Sequence, residues 1–206
     1  MSGTLFIISA PSGAGKTSLI EALLDSVKDI LVSISYTTRP KRSGEKEGED
    51  YYFVSQDSFQ QMVGQSDFLE HAEVFGNAYG TSESWVKEKL KNNQDVILEI
   101  DWQGAQQVRK LLAKNIHLTS IFILPPSKKT LLERLQNRAL DNDEVITKRM
   151  AQATDDMAHY VEYDYIVIND DFHQALKDLQ AIVFSGRLHQ KRQSQEKTSL
   201  LKELLS

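Results

Sequence analysis

The sequence predicts an α/β fold: a doubly wound, parallel five-stranded sheet with an inserted mixed or mostly β lobe and a helical lid. Three observations carry this prediction. Short continuous apolar runs such as Leu5-Phe6-Ile7-Ile8 have the pattern of strands buried on both faces. They alternate with segments of helical periodicity, as β-α units of a parallel sheet require. Between the second and the next core strand the pattern is broken by a charged loop with Pro40, Gly44 and Gly48, followed by short strand signals.

Taken in order, Leu5–Ile8 is the first core strand, and a glycine-containing turn leads into a helix over Lys16–Ser26. Leu31–Tyr36 alternates apolar and polar residues and is predicted as one strand. In the insertion, Tyr51–Val54 is a strand, Ser55 caps a helix ending near Gly64, and Phe68–Val74 is a further strand. Gly76-Asn77-Ala78-Tyr79-Gly80 has turn composition, and Thr81 or Ser82 caps a helix through Asn92. The core resumes with Val96–Ile100, a helix from Gln103 to Lys114 and the strand Leu118–Leu124, stopped by Pro125-Pro126. Ser127 caps a helix to Ala139, a second runs to Tyr160, Tyr165–Ile168 is the last core strand and Phe172–Ser185 the helix after it. The tail beyond Gly186 is polar and basic, closing in an amphipathic turn or two over Leu200–Leu205.

Composition narrows the function classes. A 206-residue chain with a 40% hydrophobic fraction suits one compact core with inserted lobes. The net charge of −5 argues against a general nucleic-acid binder, because a phosphate backbone favours a basic face. With no cysteine, disulfides, thiolate metal sites and cysteine nucleophiles are excluded. No secretory signal or apolar run of about 20 residues is present, so no membrane association and a cytoplasmic setting are expected. The five histidines have no metal-ligand spacing.

Ala10-Pro11-Ser12-Gly13-Ala14-Gly15-Lys16-Thr17 matches the phosphate-loop pattern G-x-x-x-x-G-K-[ST] except that Ala10 replaces the first glycine. A strand before it and a helix after it supply the context the motif needs. Gly13 and Gly15 let backbone N–H groups turn toward phosphate oxygens, and the helix N-terminus adds partial positive charge. Ser12, Gly13, Ala14, Gly15, Lys16, Thr17 and Ser18 are therefore the expected ATP-binding residues. Lys16 reaches the β- and γ-phosphates and the Thr17 hydroxyl ligates Mg²⁺. Asp101, just past the Val96–Ile100 strand, is the expected second metal ligand, with Glu99 two residues earlier on the same side. The loop does not by itself name a reaction, since GTPases, ATPases, motors and kinases share it. The GTPase base-reading pattern N-K-x-D is absent.

Five further motifs follow in order: Ser35-Tyr36-Thr37-Thr38-Arg39-Pro40-Lys41-Arg42 with Gly48–Val54, Asn77–Thr81, Ile97–Gly104, Arg134–Arg149, and Val167–Asp171. Over residues 4–185 the chain resembles the guanylate kinase family. The resemblance implies a core at 1–34, 83–125 and 158–206, a GMP-binding lobe at 35–82, and a lid at 126–157. It implies ATP as donor with bound Mg²⁺, and GMP and dGMP as acceptors. Arg39, Arg42, Tyr51 and Tyr79 would hold the GMP phosphate, with guanidinium forks matched to its oxygens. Glu70 would accept from guanine N1–H and the 2-amino group, Ser35 would reach O6, and Thr81 stands where many members carry serine. Glu99 and Asp101 complete the GMP set. Arg138 and Arg149 correspond to the arginines that close on the ATP phosphates in the family, and Lys16, Arg39, Arg138 and Arg149 form the expected catalytic group. Ala139 replaces a common lid glycine, and Asn169 would lie near the adenine. Two other readings are a kinase for another monophosphate, opposed by Glu70 and Ser35, and a non-catalytic scaffold module, opposed by Lys16 and Thr17. Monomer and homodimer both stay open.

Overall fold

The computed structural model describes residues 3–74, 76–112, 117–137 and 143–206. The core sheet is made of β1 (Leu5–Ser9), β2 (Ile30–Val32), β7 (Asp95–Glu99), β8 (Leu118–Leu124) and β9 (Tyr165–Ile168). All of its pairings are parallel and its order is β2-β7-β1-β8-β9. All five residues of β1 are buried, because this central strand is covered on both faces. Phe6 and Ile8 point to one side, under α1 (Lys16–Ser26) and α7 (Phe172–Arg187), where they meet Leu19, Leu23 and Leu179. Leu5 and Ile7 point to the other, under α3 (Glu83–Lys91) and α4 (Trp102–Leu112), where they meet Val86, Leu90 and Val108. The period of two in one strand thus divides the core between two helical layers.

The predicted strand Leu31–Tyr36 is two strands. Ile30–Val32 pairs with β7, and the Ser33 amide still donates to the Ile97 carbonyl at 2.9 Å. The chain then leaves the core sheet, and β3 (Tyr36–Thr37) begins a second sheet. The alternating residues Ser33-Ile34-Ser35 are themselves the crossing, and their pattern does not differ from that of a continuing strand. The second sheet also contains β4 (Tyr52–Phe53), β5 (Phe68–Val74) and β6 (Asn77–Ser82), in the order β4-β3-β6-β5. Here β3 runs parallel to β4, whereas β6 is antiparallel to both β3 and β5.

Strand β6 corrects the expected turn at Gly76–Gly80. Gly76, with φ 74°, belongs to the turn, but Asn77 onward pairs with β5. Gly80 is a strand residue because Phe68 lies against it: a Cβ there would sit 2.9 Å from the Phe68 ring. A glycine that admits a neighbouring ring has the same sequence signature as a glycine that turns the chain. Ser55 caps α2 (Gln56–Gly64) through the Ser58 amide, and Ser82, not Thr81, caps α3 through the Trp85 amide.

Helices α5 (Lys128–Asn137) and α6 (Asp143–Ala158) pack through Leu131, Leu135 and Ala153, with Met150 and Met157 alongside. A 3-10 turn at His159–Glu162 follows, so α6 ends slightly before the expected Tyr160. The tail forms α8 (Gln190–Glu196) and α9 (Thr198–Leu204), the first of them not anticipated from its polar sequence. Helix α8 is held by charge: Arg192 is buried and donates to Asp95 Oδ1 at 2.6 Å, while Arg187 Nε donates to Asp95 Oδ2 at 2.7 Å. No helix among the described residues is long and apolar enough to cross a membrane.

Candidate active site

The phosphate loop is set by β1, which delivers it to the C-terminal edge of the sheet, and by α1, which starts at Lys16. Gly13 and Gly15 have φ of 88° and 87°, a left-handed geometry that L side chains rarely adopt. Ala10, in place of the first glycine, packs against the core cluster. Asn169, after β9, braces the loop: its Nδ2 donates to the Ala14 carbonyl at 2.8 Å. That nitrogen fills the space a Cβ on Gly15 would need, standing 2.5 Å from the position such an atom would take. The Asn169 side-chain amide is thus committed to the loop, and the Asn169 backbone carbonyl accepts from Arg134 Nη2 at 3.0 Å.

Thr17 Oγ1 donates to Glu99 Oε1 at 2.8 Å, and Lys16 Nζ lies 3.8 Å from the same oxygen. Glu99 therefore meets both polar side chains at the start of α1. Asp101 is turned differently, with Oδ1 accepting from the Gly104 amide at 2.9 Å in the first turn of α4. Lys16, Ser35, Tyr51, Glu70, Tyr79 and Asp101 surround a cavity of about 200 Å³, with Glu99 and Ile100 in its wall. The cavity joins the phosphate loop to the second sheet.

Glu70 is the most unusual group here. It is a carboxylate only 4% exposed, with Oε1 accepting from the Thr81 hydroxyl at 2.5 Å. Burial pushes its carboxyl up to about 7; the Thr81 bond pulls it down and the charge of Asp101 adds to the rise. A β-bulge between Phe68 and Glu70 aims it: Phe68 faces Ser82, yet Glu70 already faces Thr81.

Arg39 lies over the Tyr51 ring, with its Cζ 5.3 Å from the centroid. Its two terminal nitrogens grip Glu45 at 2.7 and 3.1 Å, and Nη1 also donates to the Pro40 carbonyl at 2.9 Å. The Glu45 bond raises the Arg39 guanidinium above its ordinary value and holds the Glu45 carboxyl below its own. Burial raises the Tyr51 phenol, with the Glu99 charge adding to it. Arg42 is exposed, and its amide donates to Glu45 Oε2 at 2.7 Å.

The structure brings Lys16, Thr17, Ser35, Arg39, Tyr51, Glu70, Tyr79, Thr81, Glu99 and Asp101 into one connected region. Arg149 lies half-buried on α6 and does not line the cavity, while Arg138 and Ala139 fall outside the described residues.

The chain and its fold have relatives among known proteins. The family model described as guanylate kinase matches residues 2–186. The chain belongs to the guanylate kinase family. A guanylate kinase of Pseudomonas fluorescens is 57% identical over 203 residues, covering 98% of this chain and 97% of its own length. The guanylate kinase of Escherichia coli strain K12 is 54% identical over 206 residues, covering 99% and 98%. The crystal structure of guanylate kinase from Anaplasma phagocytophilum superposes with a TM-score of 0.77 at 32% identity, covering 92% of this chain and 89% of that one. Within this guanylate kinase frame, the sequence did not single out Glu45, which holds Arg39, or Gly104 as the residue whose amide holds Asp101. Glu45 was legible as an acid three residues after Arg42 and six after Arg39 in a glycine-containing loop. Gly104 was legible as a glycine inside a helical pattern.

Proposed function

We propose that this chain transfers the γ-phosphoryl group of ATP to GMP, giving ADP and GDP. The observation that carries this reading is the buried Glu70 carboxylate in a cavity it shares with Lys16. A carboxylate accepts from guanine N1–H and the 2-amino group together. Adenine presents a lone pair at N1, so it meets repulsion and leaves a buried acceptor unpaired. The Thr81 hydroxyl donates to Glu70 and orients it, and Ser35 lies on the cavity wall within the proposed reach of O6.

The acceptor is a phosphate monoester with a second pKa near ~6, already largely dianionic at neutral pH, so no general base is assigned. One of its oxygens forms the new bond to the γ-phosphorus as the bond to the β–γ bridging oxygen breaks, and ADP leaves with that electron pair. Arg39, Arg42, Tyr51 and Tyr79 hold the acceptor phosphate in line, with Glu45 keeping the Arg39 fork in place. The loop amides of residues 12–18 and the Lys16 ammonium hold the donor. Arg138 and Arg149 of the lid add positive charge around the transferred group. Alignment and charge neutralisation are the sources of rate. The core is residues 1–34, 83–125 and 158–206, the GMP lobe 35–82 and the lid 126–157.

The donor set suits Mg²⁺: a hydroxyl at Thr17 and carboxylates at Glu99 and Asp101 are hard oxygen ligands beside the phosphate loop. Among the described residues no group of three or more His, Cys, Asp or Glu is placed to hold a metal, so the proposed ion is one carried on ATP. When bound, it neutralises charge on the β- and γ-phosphates.

The test is ADP formation with GMP, dGMP, AMP, UMP and CMP in parallel, for the parent chain and for Glu70→Ala. GMP is expected to exceed AMP in kcat/KM by on the order of 10⁴, and Glu70→Ala to erode most of that ratio. Equal use of AMP and GMP by the parent chain would overturn the proposal.

A further inference from the structure

Helix α4 touches strand β5 at two points one helical turn apart. At the second, the Gln107 side chain brackets the backbone of His71. The His71 amide donates to Gln107 Oε1 at 3.2 Å, and Gln107 Nε2 donates to the His71 carbonyl at 2.8 Å. Strand β5 is the edge of its sheet, so these backbone groups face away from β6. Gln107 satisfies them as a neighbouring strand would. At the first point stands Gly104, three residues earlier and on the same helix face. A Cβ on Gly104 would lie 2.5 Å from Glu70 Oε2 and 3.1 Å from Glu70 Cδ.

Gly104 is buried in a helix and has no positive φ, so its backbone makes no demand for glycine. In a helix, glycine is inferior to alanine on conformational entropy alone. What the position does require is the absence of a side chain on the surface where the carboxylate rests. Two contacts of one helix therefore act on two successive residues of β5: Gln107 fixes the strand, and Gly104 leaves the space into which Glu70 folds.

We propose that Gly104 and Gln107 are positioning residues for recognition of the acceptor base. They hold the Glu70 carboxylate against the first turn of α4, so that its free lone pairs face the cavity. This rests on the reading of Glu70 as the group that selects guanine. An added methyl at 104 displaces the carboxylate toward the cavity and spoils its two-point match to guanine, leaving the donor site untouched.

The experiment is a double-mutant cycle with Gly104→Ala, Glu70→Ala and the combined variant, and Gln107→Ala alongside. KM values for GMP and ATP, the GMP-to-AMP ratio of kcat/KM and the melting temperature are measured for each. Gly104→Ala is expected to raise the KM for GMP at least tenfold and to lower the ratio in step, with the KM for ATP within twofold of the parent. In the Glu70→Ala background the same change is expected to leave the KM for GMP unaltered and to raise the melting temperature, since only the helix preference then remains. Gln107→Ala is expected to raise the KM for GMP several-fold without moving that for ATP, which keeps the proposal testable if Gly104→Ala folds poorly. An unchanged KM for GMP in both Gly104→Ala and Gln107→Ala overturns it, as does an equal loss of melting temperature from Gly104→Ala in both backgrounds. If Glu70→Ala itself keeps the full preference for GMP, the reading of Glu70 fails. If Glu70→Ala loses that preference while Gly104→Ala is silent, this inference alone fails.

Discussion

At the scale of single residues, Glu70 ties the fold to pH. Its carboxyl is raised to about 7 from an ordinary 4.5, first by burial. In the proposed recognition guanine is bound by the ionised form, so GMP would draw a proton off this group. The KM for GMP is expected to fall by about tenfold from pH 6 to pH 8, as the ionised fraction rises across the folded pKa. Glu70→Gln, which does not titrate, is the control, because the acceptor phosphate ionises near the lower end of the range. A parent profile that superposes on that of Glu70→Gln would refute the assignment. The linkage to stability has the opposite direction. Between the unfolded and folded values the folded chain holds the proton more tightly. This stabilisation is complete below the unfolded value and is lost as pH rises through about 7.

At the scale of elements, the phosphate loop is a joint of three segments. Strand β1 delivers it, α1 receives it, and Asn169 at the end of β9 locks it by a buried bond to Ala14. Asn169→Ala removes the donor from a buried carbonyl, a loss of roughly 1–3 kcal/mol. The KM for ATP is expected to rise about tenfold with that for GMP nearly unchanged, as steady-state kinetics with each substrate varied in turn would measure. A larger effect on GMP would show that Asn169 acts elsewhere. Element type was well marked where burial and period agree. Leu118–Leu124, Phe68–Val74, Tyr165–Ile168 and the start of α1 stand where the pattern put them. Agreement ends where one local pattern serves two tertiary settings. Leu31–Tyr36 has the pattern of one strand, yet Ile30–Val32 and Tyr36–Thr37 belong to two sheets, and Gly80 admits a ring rather than turning the chain. In the site, Lys16, Ser35, Tyr51, Glu70 and Tyr79 were legible because their motifs are contiguous or resemble those of a known family. Of the supporting residues, Glu45 had its acid spacing and Gly104 its place in a helical pattern, whereas Gln107 has no such mark, because a side chain that bonds a distant strand's backbone leaves no local signal.

At the scale of the whole molecule, Asp95 joins the two ends of the chain. It is fully buried at the start of β7, accepts from the Thr4 amide at 2.9 Å, and is shared by Arg187 and Arg192. Removing one partner from such a cluster leaves buried charge without compensation, at a cost of about 3–5 kcal/mol. Asp95→Asn is expected to lower the unfolding free energy from urea titration by an amount in that range, with a correspondingly lower midpoint, while the KM values of the refolded protein stay put. An unshifted midpoint would show that α8 is held by other contacts. It also follows that the polar tail, featureless as a sequence, belongs to the folded unit through Arg192.

The central place of β1 has a consequence for how the protein is made. Its two neighbours, β7 and β8, lie near residues 95 and 118, and the brace on its loop is residue 169. Synthesis runs from the N-terminus, so the segment that leaves the ribosome first waits longest for its partners. The phosphate-loop motif is complete by Thr17, yet the strands that flank β1 and the side chain that braces the loop all come later in the chain. A loop that is short in sequence is thus shaped by contacts that are distant in it, its brace lying 155 residues from the carbonyl it holds.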